Sequence, residues 1–162
     1  MTENQKLLTT IFEGWSIYQE TVIEALRPLN QEQLALRADP KLRSVGEIAS
    51  HIIGARARWF YSLIGEGGED IRDLGKWDRR GEKVRSSEEL INGLERSWQG
   101  MQGAINSWSA EEWQQSFPGE DDSEPEVITL HWVIWHLIEH DLHHGGEISL
   151  TLGAHGISAL DL

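Results

Sequence analysis

Leu8, Ile11, Phe12, Trp15, Tyr18, Val22 and Ala25 recur at steps of three and four, the period that gathers apolar side chains on one face of an α-helix. The same period returns in three further long segments, and no segment alternates apolar and polar residues as a half-buried strand would. The first helix is expected over about residues 5–27, stopped by Pro28, whose ring cannot continue a helical backbone. The second opens on a capping box, Ser44 with Glu47, and runs to about Ile64. A third extends from Ser87 to about Trp108, after which Ser109 and Glu112 cap a short turn ending near Pro118. The fourth begins near Thr129 and reaches about Leu152 across Gly145 and Gly146. Each of those glycines costs a helix roughly 1 kcal/mol relative to alanine, so close packing or room for a ligand has to justify them. Four amphipathic helices make an all-α four-helix bundle.

A chain of 162 residues suits one domain, residues 1–162, with a core large enough to fold without staples. Cysteine is absent, which excludes disulfides, thiolate ligands and a cysteine nucleophile; thiol chemistry would need a thiol from outside. With 27 acidic against 14 basic side chains the net charge is -13, which repels phosphate backbones and disfavours nucleic acid as a partner. One local exception, Arg79, Arg80, Lys83 and Arg85, reads as a solvated loop offsetting acidic neighbours. No leader-like start and no uncharged run of about 18 residues is visible, so a soluble, cytoplasmic protein with no membrane partner is expected. Two long connections, residues 65–86 and 118–128, are candidates for lids or binding loops.

Five of the seven histidines, His131, His136, His140, His143 and His144, crowd into fourteen residues of the apolar fourth helix. A helix advances about 100° per residue, so His140 and His144 lie one turn apart and their rings can converge. Neutral imidazole ligates zinc, nickel and related divalent ions, and a third ligand must come from elsewhere. His51 sits in the second helix among Ile48, Ile52, Ala55 and Trp59. Taken alone it reads as a core histidine, but helical bundles build metal sites from facing helices. His51, His140 and His144 would leave coordination positions open for water or substrate. His136 and His143 are rival ligands, and His136 with His140 is also an i, i+4 pair, so spacing does not choose. Without an ion, the rings would form a protonatable cluster bonded to Glu139 and Asp141. Glu147, one turn beyond His144, is either a ring-orienting or proton-transferring group or a surface carboxylate. His155, followed by Gly156, falls in a terminating turn and receives no role. Trp59 and Trp135 wall a pocket or join the core.

These residues resemble the DinB/YfiT-like family of bacterial helical metalloproteins. The likeness rests on the stretch from Trp135 through His140, His144 and Glu147 to Ile148, similar to a fourth-helix pattern of histidine, three residues, histidine and a short polar run ending in glutamine. It rests also on Glu47 to Ile52 around His51, similar to the family's second-helix histidine. The resemblance implies ligation by His51, His140 and His144 in a bundle with a long crossover between its second and third helices. It implies a divalent metal, zinc or nickel first, and a homodimer, which the aromatic surplus at Trp15, Tyr18, Trp98 and Trp108 also suggests. It further implies a transferase acting on a small molecule with a low-molecular-weight thiol; a metal-dependent hydrolase or a non-enzymatic, stress-associated metal protein are the alternatives. The chain departs from the pattern at Gly145 and Glu147, where the family often has arginine and glutamine.

Overall fold

The computed structural model describes residues 2–79, 82–119 and 125–161; Arg80 of the basic patch and residues 120–124 of the second connection lie outside that set. Among the described residues six α-helices follow in order: α1 Glu3–Leu26, α2 Gln31–Leu34, α3 Val45–Ala57, α4 Glu69–Arg72, α5 Ser87–Ser107 and α6 Leu130–Ala154. The four long ones, α1, α3, α5 and α6, form a four-helix bundle. Both α1 and α3 pack chiefly against α5 and α6, so the first two long helices sit across a diagonal. An up-and-down bundle with short loops would make consecutive helices neighbours. Residues 27–44 carry the chain across that diagonal, whereas the connection of residues 65–86 joins the neighbours α3 and α5, whose first turns lie together at Gly46 and Leu90, so it has to bring the chain back along the bundle. It does so in contact with it, as α4 packs on α5 and the 3-10 turn Asp73–Lys76 packs on α3.

The capping boxes fix where the helices start. Ser44 Oγ accepts from the Glu47 amide at 3.3 Å while Glu47 Oε2 accepts from the Ser44 amide at 2.7 Å. Ser86 and Glu89 repeat the device at α5, and Ser109 and Glu112 do so ahead of the 3-10 turn Glu112–Gln114. Beyond Ala57 the second long helix continues to Ile64 as a π-helix, Arg58–Ile64, closed by Gly65 at φ 81°, a conformation that favours glycine. Such widened turns cluster at functional sites.

Contrary to the expectation of no strands, Ser116–Pro118 pairs antiparallel with Val127–Thr129. Three residues are too few for alternation to register in the sequence, and the ribbon draws together the ends of the second connection. The core also absorbs the aromatic surplus. Trp15, Tyr18 and Trp108 are buried within the chain and Trp98 packs against them, so these residues do not mark a surface for a second copy. No helix among the described residues is long and apolar enough to cross a membrane.

Candidate metal centre

Packing of α3 against α6 brings His51 to His140 and His144. The Nε2 atoms of His51 and His140 are 3.3 Å apart, and the His144 ring centroid lies 4.7 Å from that of His51 and 4.3 Å from that of His140. One nitrogen from each ring falls within 4.8 Å of the others.

The far side of two rings decides their tautomers. His51 Nδ1 lies 2.7 Å from Asp78 Oδ2, and His144 Nδ1 lies 2.6 Å from Glu147 Oε2. An ionised carboxylate only accepts, so each Nδ1 carries a proton, and in the neutral ring it is Nε2 that offers a lone pair. His140 Nδ1 is buried without a partner among the described residues. Burial first, then the neighbouring His144 and His51, pushes the His140 pKa down to about 2. Burial also lowers that of His144, against the pull of Glu147. Both rings are therefore neutral near pH 7, the form that ligates metal. Bonds of about 2.0–2.1 Å at tetrahedral angles put neighbouring donor nitrogens about 3.3 Å apart. The separation of the His51 and His140 nitrogens, 3.3 Å, fits an ion between them.

Asp78 and Arg58 were not singled out by the sequence. Arg58, the first residue of the π-helical turn, donates from Nη1 to Asp78 Oδ1 at 2.6 Å, from Nη2 to Oδ2 at 2.9 Å, and to the Gly75 carbonyl at 3.0 Å. Burial opposes ionisation of Asp78, but hydrogen bonds from His51 and Arg58 outweigh it and hold the carboxyl well below the usual carboxylate range. Gly54 permits this approach: a Cβ there would stand 2.8 Å from Asp78 Oδ1 and 2.9 Å from Arg58 Nη1. Arg58 stands seven residues, two helical turns, after His51, which is a readable spacing. Asp78 is one acid in a charged connection and carries no such signal.

The rival histidines are occupied elsewhere. His136 stacks on Trp132, with centroids 4.8 Å apart and planes 6° from parallel, and lies edge-on to Trp59. His143 is 68% exposed, and with His144 and Glu147 it makes a second, more open donor group that shares His144. His131 packs on Trp113, and His155 Nε2 meets the Arg37 carbonyl at 3.0 Å. Asp141 binds none of the rings but takes Trp15 Nε1 at 2.7 Å and Arg56 Nη2 at 2.6 Å. Trp59 joins the packing around the core, whereas Trp135 is 59% exposed and lies outside the core. Close packing explains Gly145, where a Cβ would stand 2.1 Å from the Tyr18 hydroxyl, while Gly146 borders open space.

A crossed four-helix bundle presenting three convergent imidazoles from two facing helices is the architecture of a helical protein able to hold one ion. Residues 16–148 match the model of the DinB superfamily, and the chain belongs to that superfamily. Among solved structures, YfiT from Bacillus subtilis, described as a probable metal-dependent hydrolase with an unusual four-helix bundle topology, is similar at TM-score 0.73 and 16% identity, covering 98% of this chain and 91% of that one. A DinB-like protein from Bacillus cereus ATCC 10987 matches at TM-score 0.68 and 17% identity, over 94% of this chain and 95% of its own. A second DinB-like protein, YjoA from Bacillus subtilis, matches at TM-score 0.63 and 13% identity, over 94% and 96%. At these identities the likeness establishes the fold. No curated protein matches the chain.

Proposed function

We propose that this protein binds one divalent metal ion, zinc or nickel first, through His51, His140 and His144, and uses it to transfer a low-molecular-weight thiol to a small electrophile. The observation that carries the metal is the convergence of these three side chains, two of them with the outer nitrogen held by a carboxylate. A divalent ion bound there would supply a Lewis acid that lowers the pKa of a coordinated thiol or water. The residues of the chain contribute position: Asp78 and Glu147 fix ring orientation and tautomer, and burial keeps His140 and His144 neutral.

Hydrolysis, the activity suggested for YfiT, is the second reading. It calls for a carboxylate free to accept a proton from water. Glu147 and Asp78, the carboxylates at the centre, are both committed to ring nitrogens, so the thiol reading is preferred. Metal analysis of protein purified without a histidine tag should give one ion per chain. In the cobalt-substituted protein, adding a small thiol should produce a sulfur-to-metal charge-transfer band, and turnover of an electrophile should require the thiol. Ester or amide cleavage without thiol, and no such band, would establish the hydrolase instead. Assembly as a homodimer remains part of the proposal on the family's account, and sedimentation at the 18.4 kDa of one chain would refute it.

A further inference from the structure

Three basic residues of the 65–86 connection, Arg79, Lys83 and Arg85, do not simply disperse into solvent. They line a cavity of about 530 Å³ between the start of α3, the end of α2 and the segment around residues 77–85. Gly46 and Ser50 of α3, Leu34 of α2 and Trp77 are among the residues that line it. Five cations, Arg37, Arg43, Arg79, Lys83 and Arg85, face three acids, Glu47, Asp78 and Glu82.

The pairing among them is uneven. Arg37 is matched by Glu47 at 2.7 Å and Arg85 by Glu82 at 3.0 Å, while Lys83 reaches out of the cavity to Glu89. Asp78 is neutralised from outside the cavity by Arg58. Among the described residues the side chains of Arg43 and Arg79 form no ion pair. Arg85, only 6% exposed, lies over Trp77 at 4.1 Å from the ring centroid, with its Nε buried and lacking an acceptor. In a chain of net charge -13, five of the 14 basic residues thus lie around one concavity. Concave walls focus such a field onto whatever enters.

We propose that this cavity is a binding site for a small organic oxyanion, a carboxylate or a phosphate ester, gripped by the guanidinium groups of Arg43 and Arg79. Two planar forks suit the flat carboxylate and the phosphate face alike, and Trp77, Ala35 and Val84 supply apolar lining for the rest of the molecule. The volume lies within the range of about 300–1,000 Å³ typical of small-molecule sites. Asp78 is shared, since it lines the cavity while its Oδ2 bonds His51, so a ligand there lies one carboxylate away from the candidate metal centre. The assignment does not depend on the metal and would stand if the histidines held no ion.

Titration of the full chain in low-chloride buffer with inorganic phosphate, phenyl phosphate and succinate, read by calorimetry and by amide and indole NMR shifts, tests it. At least one probe should bind saturably, shifting the Trp77 indole and Gly46 amide signals and leaving the Trp15 indole in place. The Arg43→Ala, Arg79→Ala double variant should weaken that binding about tenfold or more, and Arg43→Lys, Arg79→Lys should weaken it less. Both side chains are exposed, so the variants should fold. Lys6→Ala, in the first turn of α1 and remote from the cavity, should change nothing. A preference for succinate over the phosphates names a carboxylate ligand, and the reverse names a phosphate ester. No saturable binding of any probe, binding indifferent to the double substitution, or shifts elsewhere on the protein would overturn the proposal.

Discussion

Two arginines stand two residues apart at the end of the second long helix, and each binds an aspartate on another element. Arg56 meets Asp141 of α6, with side chains 3% and 2% exposed; Arg58 meets Asp78 of the long connection, with side chains 27% and 9% exposed. A step of two residues turns a helix by about 200°, so the pairs look out from opposite sides. The buried carboxylate also accepts Trp15 Nε1, and Arg56 lies over the Trp98 ring at 5.5 Å. That network joins α1, α3, α5 and α6 one residue away from His140. The outer pair instead spends its remaining acceptor on His51. The same two side-chain types thus lock the bundle in one place and aim an imidazole in the other, because burial sets what losing a partner costs.

The contrast is broken most directly at Asp141. Asp141→Ala should lose about 3–5 kcal/mol in urea unfolding, since it strands a buried guanidinium, whereas Arg56→Met combined with Asp141→Leu should recover most of that loss. A cost below about 1 kcal/mol for the single variant would remove the distinction between the pairs. At the outer pair, Asp78→Ala should cost less stability than Asp141→Ala, because Arg58 at 27% exposure keeps water within reach, yet weaken metal binding about 10–100-fold in competition with a chelating dye. Unaltered metal affinity would reduce Asp78 to an ordinary ion pair.

Acid titration sharpens the comparison further. His140 binds its proton at about 2 in the folded protein against an ordinary 6.5, so between those values the unfolded chain holds the extra proton. Stability of the metal-free protein should therefore be level above pH 6.5 and fall as pH drops below it, by up to about 1.4 kcal/mol per pH unit from this group. Asp78, depressed below its ordinary value, adds stability that is lost at still lower pH. His140→Gln should flatten the first limb, and an unchanged unfolding profile would contradict the burial of that ring. Glu147→Gln should have the smallest effect, less than about tenfold on metal affinity, because its side chain is 39% exposed and, among the described residues, no arginine fixes it as Arg58 fixes Asp78.

Much of this was legible along the chain because helix periodicity and capping are local. Ser44 with Glu47 and Ser109 with Glu112 form the boxes their spacing announces, and the long helices begin and end within a few residues of their apolar patterns. The histidine density on α6 marked the helix that meets His51. It did not separate His140 and His144 from His136 and His143, since all four sit at helical intervals; the facing ring of His51 and the stacking of His136 on Trp132 separate them in space. Asp141 carried a signal that could have been used, as a carboxylate in line with the buried Leu137 and Ile148 needs a buried partner. The short ribbon and α2 were passed over because three or four residues give no period to read, although Asn30 and Gln33 do form a capping box.

The order of apolar, small and capping residues by itself determined four long helices, their approximate ends and a histidine-rich stripe, because each depends on neighbours within one or two turns. Only the tertiary structure decided that α3 and α6 lie side by side, that Asp78 crosses from a distant connection to His51, and that Tyr18 fills the space beside Gly145. Those relations join residues 27 to 127 positions apart, and no local propensity encodes which faces meet when the core is packed.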